Sequence, residues 1–213
     1  MIVKNVPFFP NTPDDTHCLQ AVLKMILKYF EPKKDYSFEE LDLLSDKVLG
    51  KWTWATRALV NLEKMGYKLA NMEDFDYHNF SQNGKKYLIK KFGNKVAHQQ
   101  MVHSDIEKEM VDAKEFIEIF GNNFVIPEIK DIKYFIDSGY LVGCNINANV
   151  LNKEPGYCGH FILIFGYDDQ NLHIHDPGAP PISGRKVTWP DFLSAWAYPG
   201  HDNQNLTAFK YQK

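Results

Sequence analysis

Cys18 follows the polar stretch Asn11-Thr12-Pro13-Asp14-Asp15-Thr16-His17 and opens the apolar run Leu19-Gln20-Ala21-Val22-Leu23-Lys24-Met25-Ile26-Leu27. That order puts a sulfur on the first turn of a buried helix, where unpaired N–H groups and the positive dipole end favour thiolate over thiol. Far downstream, Gly159-His160 leads into a second apolar run, Phe161 to Phe165, and the segment that follows ends in Asp176-Pro177. Thiol, imidazole and carboxylate at the ends of buried elements are the groups a cysteine nucleophile needs, with a base and an orienter for that base. His160 as imidazolium would hold Cys18 as thiolate and later protonate a leaving amine, while Asp176 would fix its tautomer. Negative charge developing on a substrate oxygen would need donors near the sulfur. The Cys18 backbone N–H and the Asn11 side-chain amide are the candidates.

Only the fold could bring these groups together, and the hairpin sets a condition on it. His160 and Asp176 are 16 residues apart, and side chains alternate between faces along a strand. A turn centred on Asp168 would set the two directly opposite. A two-residue loop at Asp169-Gln170 would send Asp176 to the other face. The constellation therefore requires an odd-numbered loop or a bulge.

Other reactive residue types are expected to do less. Cys144 lies inside a strand pattern and reads as core, and Cys158 is a weaker rival nucleophile. His17 cannot easily be the base beside Cys18, since neighbouring side chains diverge at a helix start, and it is expected in a substrate cleft. Trp52 and Trp54 are expected to line that cleft or to pack its loop on the core. A metal site would draw on Cys158, His160, His173, His175 and Asp176, but the alternation puts His173 and His175 on one face and Asp176 on the other. No Cys-x-x-Cys or His-Glu-x-x-His spacing is present, so no metal or other cofactor is expected.

The elements that must position these groups can be read in turn. Pro7, Pro10 and Pro13 stiffen the approach to Cys18, with Asp15 or Thr16 available as a cap. The first helix buries Val22, Leu23, Ile26, Leu27 and Phe30 and stops near Pro32. Ser37-Phe38-Glu39-Glu40 is a capping box for a second helix with Leu41, Leu43 and Leu44 inward. Thr56 to Met65 makes a third helix, closed by Gly66. From about residue 71 to 123 the pattern is polar and helical, an insertion over the core, and another helix spans Glu128 to Ser138. Strands follow at Tyr140–Ile146, Phe161–Tyr167 and Leu172–His175, then a short helix at Trp189–Trp196 and a strand at Leu206–Tyr211. Gly178-Ala179-Pro180-Pro181 reads as a tight exit. Helices first and antiparallel strands second predict an α+β fold. The helical half covers about 1–138 and the β half about 139–213.

Length and composition suit one domain over residues 1–213: 44% hydrophobic, 24% charged, formal charge −3. That charge gives no basic stripe for nucleic acid, and no apolar stretch is long enough to cross a bilayer. Three cysteines make no disulfide framework, and the first residues are not a secretory segment. A reduced, cytoplasmic protein is expected.

The segment Pro10 to Leu27 resembles the nucleophile helix of papain-like cysteine peptidases. It is most similar to that of the bacteriocin-processing, double-glycine leader peptidases and their stand-alone relatives. Gly159-His160-Phe161-Ile162-Leu163-Ile164-Phe165-Gly166-Tyr167-Asp168, continuing to Asp176-Pro177, resembles that family's base and orienter strands. The resemblance implies a papain-like α+β fold and metal-free thiol peptidase chemistry on a peptide or amide through an acyl-enzyme. Two positions depart from the pattern. The family has a glutamine a few residues before the nucleophile, where this chain offers Asn11, and a glycine right after it, where this chain has Leu19. Two other readings keep the fold: acyl transfer to an amine on the same triad, and a non-catalytic binding module.

Overall fold

The run from Phe161 to Phe165 is apolar without a break because both of its faces are covered. In the computed structural model, which describes residues 2–178 and 180–211, it lies in an antiparallel sheet with helices packed on each side. The strands are β1 (Ile2–Val3), β2 (Tyr67–Glu73), β3 (Leu141–Asn147), β4 (Gly159–Tyr167), β5 (Asn171–Asp176), β6 (Ile182–Thr188) and β7 (Asn205–Tyr211). They run in the order β2-β7-β3-β4-β5-β6, with β1 pairing to β4.

Five helices cover one face: α1 (Cys18–Phe30), α2 (Phe38–Ser45), α3 (Thr56–Lys64), α4 (Tyr77–His103) and α5 (Ile106–Phe120). Their apolar sides meet Leu141, Phe161, Leu163, Phe165 and Phe209. The other face carries α6 (Ile129–Asp137), α7 (Ala148–Leu151) and α8 (Trp189–Trp196), which meet Val142, Cys144, Ile162, Ile164 and Ile174. Successive residues of β4 thus feed two separate cores, as period-two alternation demands. Full burial of each such side chain is worth about 1.5–3 kcal/mol, so this strand and its helices are anchored from both directions.

Several expectations need correcting. β2 falls partly within the segment read as helical. Alanine, asparagine, methionine and glutamate do not favour strands, but pairing with β7 from Tyr67↔Tyr211 to Glu73↔Asn205 overrides that preference. Strand β6 lies beyond the tight exit and pairs with β5, and Ala179 of that exit lies outside the described residues. The capping box of Ser37 and Glu40 forms, yet Leu43 is 81% exposed, because only Leu41 faces the core fully. Neither Asp15 nor Thr16 caps α1. The cap position is His17, without a side-chain hydrogen bond to the helix.

Candidate active site

The loop before α1 is held by one side chain. Asn11 Oδ1 accepts from the backbone N–H groups of Thr12 and His17 at 2.8 Å each, and its Nδ2 donates to Asp15 Oδ1 at 2.7 Å. The Asn11 backbone N–H donates to Pro177 O at 2.9 Å, which docks the start of α1 beside the end of β5. Asn11 therefore organises the loop. It is not among the residues lining the cleft, and one N–H of its amide is given to Asp15. With no side-chain cap on α1, the N–H groups of its first turn, including that of Cys18, have no partner within the helix.

The β4–β5 register answers the geometric condition. The turn is the two-residue one at Asp169-Gln170: the Asp168 N–H donates to Asn171 O at 2.8 Å, with Tyr167↔Leu172 and Gly166↔His173 paired beside it. A bulge at Phe165 then shifts the pairing to Ile164↔Ile174 and Leu163↔His175. Without that extra residue Asp176 would turn to the opposite face from His160. With it, Asp176 comes level with Ile162 and is a diagonal neighbour of His160, not its direct partner as the centred turn would have it. The diagonal still suits the side chains, which span the gap: His160 Nε2 and Asp176 Oδ1 are 2.7 Å apart, and both residues are buried.

Asp176 is itself clamped. Arg185 Nη1 donates to its Oδ2 at 2.8 Å and the Gly178 N–H to its Oδ1 at 3.1 Å, while Arg185 Nη2 reaches Leu151 O at 3.2 Å. Burial pushes this carboxyl up. The His160 hydrogen bond and charge, with Gly178 and Arg185, more than offset that and hold it below the ordinary carboxylate range. The sequence placed Gly178 only in a tight exit, and Arg185 comes beside Asp176 through β6, which no local pattern announced.

Cys18 and His160 line the same cleft. Burial raises the Cys18 thiol, but the His160 hydrogen bond and charge, joined by the Phe161 backbone N–H, bring it below its ordinary value. Burial likewise opposes the imidazolium, and hydrogen bonds to Asp176 and Cys18 outweigh it, raising His160 to about 10. Both shifts favour the thiolate–imidazolium form of the pair. The other two thiols differ: Cys144 sits in the core, where burial pushes its thiol far up, and burial with nearby acidic charge raises Cys158.

A cleft opens over Cys18 and His160 between the helical layer and the sheet. Trp52 and Trp54 line it, together with Gln100, Tyr157 and Tyr198. Trp54 Nε1 donates to Gln100 Oε1 and Gln100 Nε2 to the Tyr157 hydroxyl, each at 3.1 Å, tying α4 to the loop just before His160. The Trp52 ring stacks on His103 with centroids 4.6 Å apart. His17 is absent from the lining. Its ring is buried below the loop, 2.6 Å from Thr12 Oγ1 and 3.3 Å from Asp42 Oδ2, edge-on to Phe38, which corrects its expected place in the cleft. Among the described residues no cluster of three or more His, Cys, Asp or Glu is placed to hold a metal ion. His173 pairs with Asp168, and His175 lies between the Gly184 N–H and Val6 O.

Helices on an antiparallel sheet, with a thiol at a helix start and an imidazole on the sheet lining one cleft, make the papain-like cysteine peptidase class of fold. The peptidase domain of Streptococcus ComA, described as a bi-functional ABC transporter, shares this fold. It superposes with a TM-score of 0.53 at 15% identity, covering 96% of this chain and 98% of that one. A protein from Bacillus anthracis described as C39-like superposes with a TM-score of 0.57 at 14% identity, covering 100% of this chain and 98% of that one. At such identities the likeness is one of fold. The model of the Peptidase_C39 like family matches residues 3–203, and the chain belongs to that cysteine peptidase family. No curated protein sequence matches it. Among the described residues no helix is long and apolar enough to cross a membrane.

Proposed function

We propose that the protein is an active thiol peptidase or amide hydrolase in which Cys18, His160 and Asp176 form the catalytic triad. The observation that carries this reading is the buried 2.7 Å His160–Asp176 pair lining the same aromatic-walled cleft as Cys18. The Cys18 thiolate attacks the scissile carbonyl carbon, forming a C–S bond and moving an electron pair onto the oxygen. That oxyanion takes its hydrogen bond from the Cys18 backbone N–H at the uncapped helix start. Collapse of the intermediate breaks the C–N bond, and His160 gives its proton to the departing amine. A water then attacks the thioester, leaving its proton on His160 and returning the sulfur to thiolate. Asp176 stays ionised throughout and holds the ring. Its clamp by Arg185 and Gly178 supports that role. A free, unpaired nucleophilic thiol suits a reducing compartment such as the cytoplasm.

One observation favours a second reading. Asn11 lies outside the cleft lining with its amide turned to Asp15, which suits a binding module that kept the fold and gave up turnover. An electrophilic peptide probe with mapping of the modified residue separates the two. Rapid labelling of Cys18 that is abolished in His160→Gln supports the peptidase. Tight reversible binding of the same peptide without labelling supports the binding module.

A further inference from the structure

One ammonium joins the loop before the nucleophile to the loop that carries a wall of the cleft. Lys47 follows the end of α2, and its Nζ donates to Thr16 O at 2.9 Å and to Lys51 O at 2.7 Å. Thr16 lies two residues before Cys18, and Lys51 directly precedes the segment that brings Trp52 and Trp54 to the cleft. A second tie joins α1 to the same segment. Gln20 is fully buried, and its Nε2 donates to Ser45 Oγ at 2.9 Å and to Thr53 Oγ1 at 3.2 Å. The start of the nucleophile helix and one wall of the cleft are thus fixed to each other by a side chain from each.

The charge of Lys47 is not spent on a carboxylate. Among the described residues no Asp or Glu oxygen comes within 4.0 Å of its Nζ, whereas Lys34, Lys64, Lys91 and Lys108 each have such a partner. Carbonyl oxygens orient an ammonium without cancelling it. Burial lowers the pKa of this lysine, and the negative charges of Asp42 on α2, Asp14 in the entry loop and Cys18 act the other way. That influence is mutual, so an ammonium favoured by the thiolate favours the thiolate in turn. Cys18 is faced from β4 by His160, the larger influence, and from the entry loop by Asp15, whose charge opposes the thiolate. Cys158, ahead of β4, also feels the Cys18 charge. A fixed cation at Thr16 therefore offsets Asp15.

We propose that Lys47 is a positioning residue for the nucleophile: it locks the loop before Cys18 to the wall carrying Trp52 and Trp54 and supplies a fixed positive charge that favours the thiolate. Lys47 is not among the residues lining the cleft, so it acts through Cys18 and not on the substrate. The proposal rests on the peptidase reading and deepens it, adding to the triad a cation that holds the sulfur ready.

The test follows the rate of Cys18 alkylation by iodoacetamide against pH, mapped by mass spectrometry, so that it does not depend on turnover. Lys47→Met removes donor and charge, Lys47→Gln keeps a donor without the charge, and Lys47→Arg keeps both. In the two neutral variants the apparent pKa of alkylation rises by about half a pH unit, a roughly threefold slower reaction at mildly acidic pH. Lys47→Arg holds the wild-type profile. Lys28→Met, near the far end of α1, holds it as well and excludes an effect of net charge. A thermal melt accompanies each variant, and where Lys47→Met does not fold, Lys47→Gln decides. Loss of the fold in both makes Lys47 structural and overturns the proposal. A wild-type profile in a folded neutral variant overturns it, and so does a shift that Lys47→Arg shares. The expected shifts in a protein that cleaves no peptide overturn only the peptidase reading. Peptide cleavage with an alkylation profile indifferent to Lys47 overturns only the role of this lysine.

Discussion

Gly178→Ala places a methyl group where the ring of His160 now rests. A β-carbon at position 178 would lie 3.0 Å from His160 Cε1, 3.1 Å from Nε2 and 3.2 Å from Asp176 Oδ1. Carbon contacts settle at about 3.5–4.0 Å, so the ring must retreat by roughly half an ångström. The 2.7 Å bond to Asp176 leaves no slack for that. Either it lengthens past good hydrogen-bond range or the imidazole leaves its rotamer, at about 0.5–1.5 kcal/mol. Global stability should therefore fall little: about 1 kcal/mol is 2–4 °C in a protein of this size. Catalysis is more exacting, since a 1 Å misplacement costs about a hundredfold, and kcat/KM on a cleaved peptide should drop roughly tenfold to a hundredfold. Steady-state kinetics beside a thermal melt decide it. Unchanged kcat/KM would refute the positioning of the ring by its neighbours, and so would a loss that merely tracks a fall of 10 °C or more.

Arg185→Met removes two charge-assisted bonds and leaves Asp176 buried without its clamp. A hydrogen bond to a charged group is worth about 1.5–3 kcal/mol, so calorimetry should show a melting point lower by roughly 5 °C or more. Because the folded-state pKa of Asp176 lies below its ordinary value of 3.8, its stabilisation is full above that value and lost as pH falls. In Arg185→Met acid unfolding should accordingly begin at higher pH. His160 behaves in the opposite sense. Its pKa rises from 6.5 to about 10, so its contribution is full below 6.5 and disappears as pH climbs through about 10. Denaturant unfolding from pH 7 to 10 should show this decline, and His160→Gln should flatten it. Cys158→Ser should leave both kcat/KM and the melting point nearly unchanged, since that thiol lies off the cleft and its burial keeps it protonated.

The residues at element ends were the legible part of the chain. Cys18 could be placed because a polar, proline-stiffened loop meets a periodic apolar run, and the two-faced burial of β4 shows as unbroken hydrophobicity from Phe161 to Phe165. The capping box at Ser37 and the short helix from Trp189 could be read for the same reason: local residues alone specify them. Strands β2 and β6 could not, because their pairing is set by distant partners and neither alternates cleanly. The bulge at Phe165 was required in kind, and Gly166 beside it is the isolated strand glycine that could have located it. Missing β6 hid Arg185, so the support of the orienter emerged only with the fold. Asn11 and His17 misled for a single reason. Their polar groups satisfy the loop that presents the sulfur, and a sequence does not show which polar groups are already spent.

The most direct test is the rate of alkylation of each cysteine by iodoacetamide at mildly acidic pH, mapped by mass spectrometry in wild type and in His160→Gln. Cys18 should react far ahead of Cys144 and Cys158 in the wild type, because its thiolate is stabilised by the facing imidazolium, and should lose that lead in the variant. Equal labelling of Cys18 and Cys158, or a Cys18 rate indifferent to the loss of His160, would contradict a catalytic thiolate–imidazolium pair in this protein.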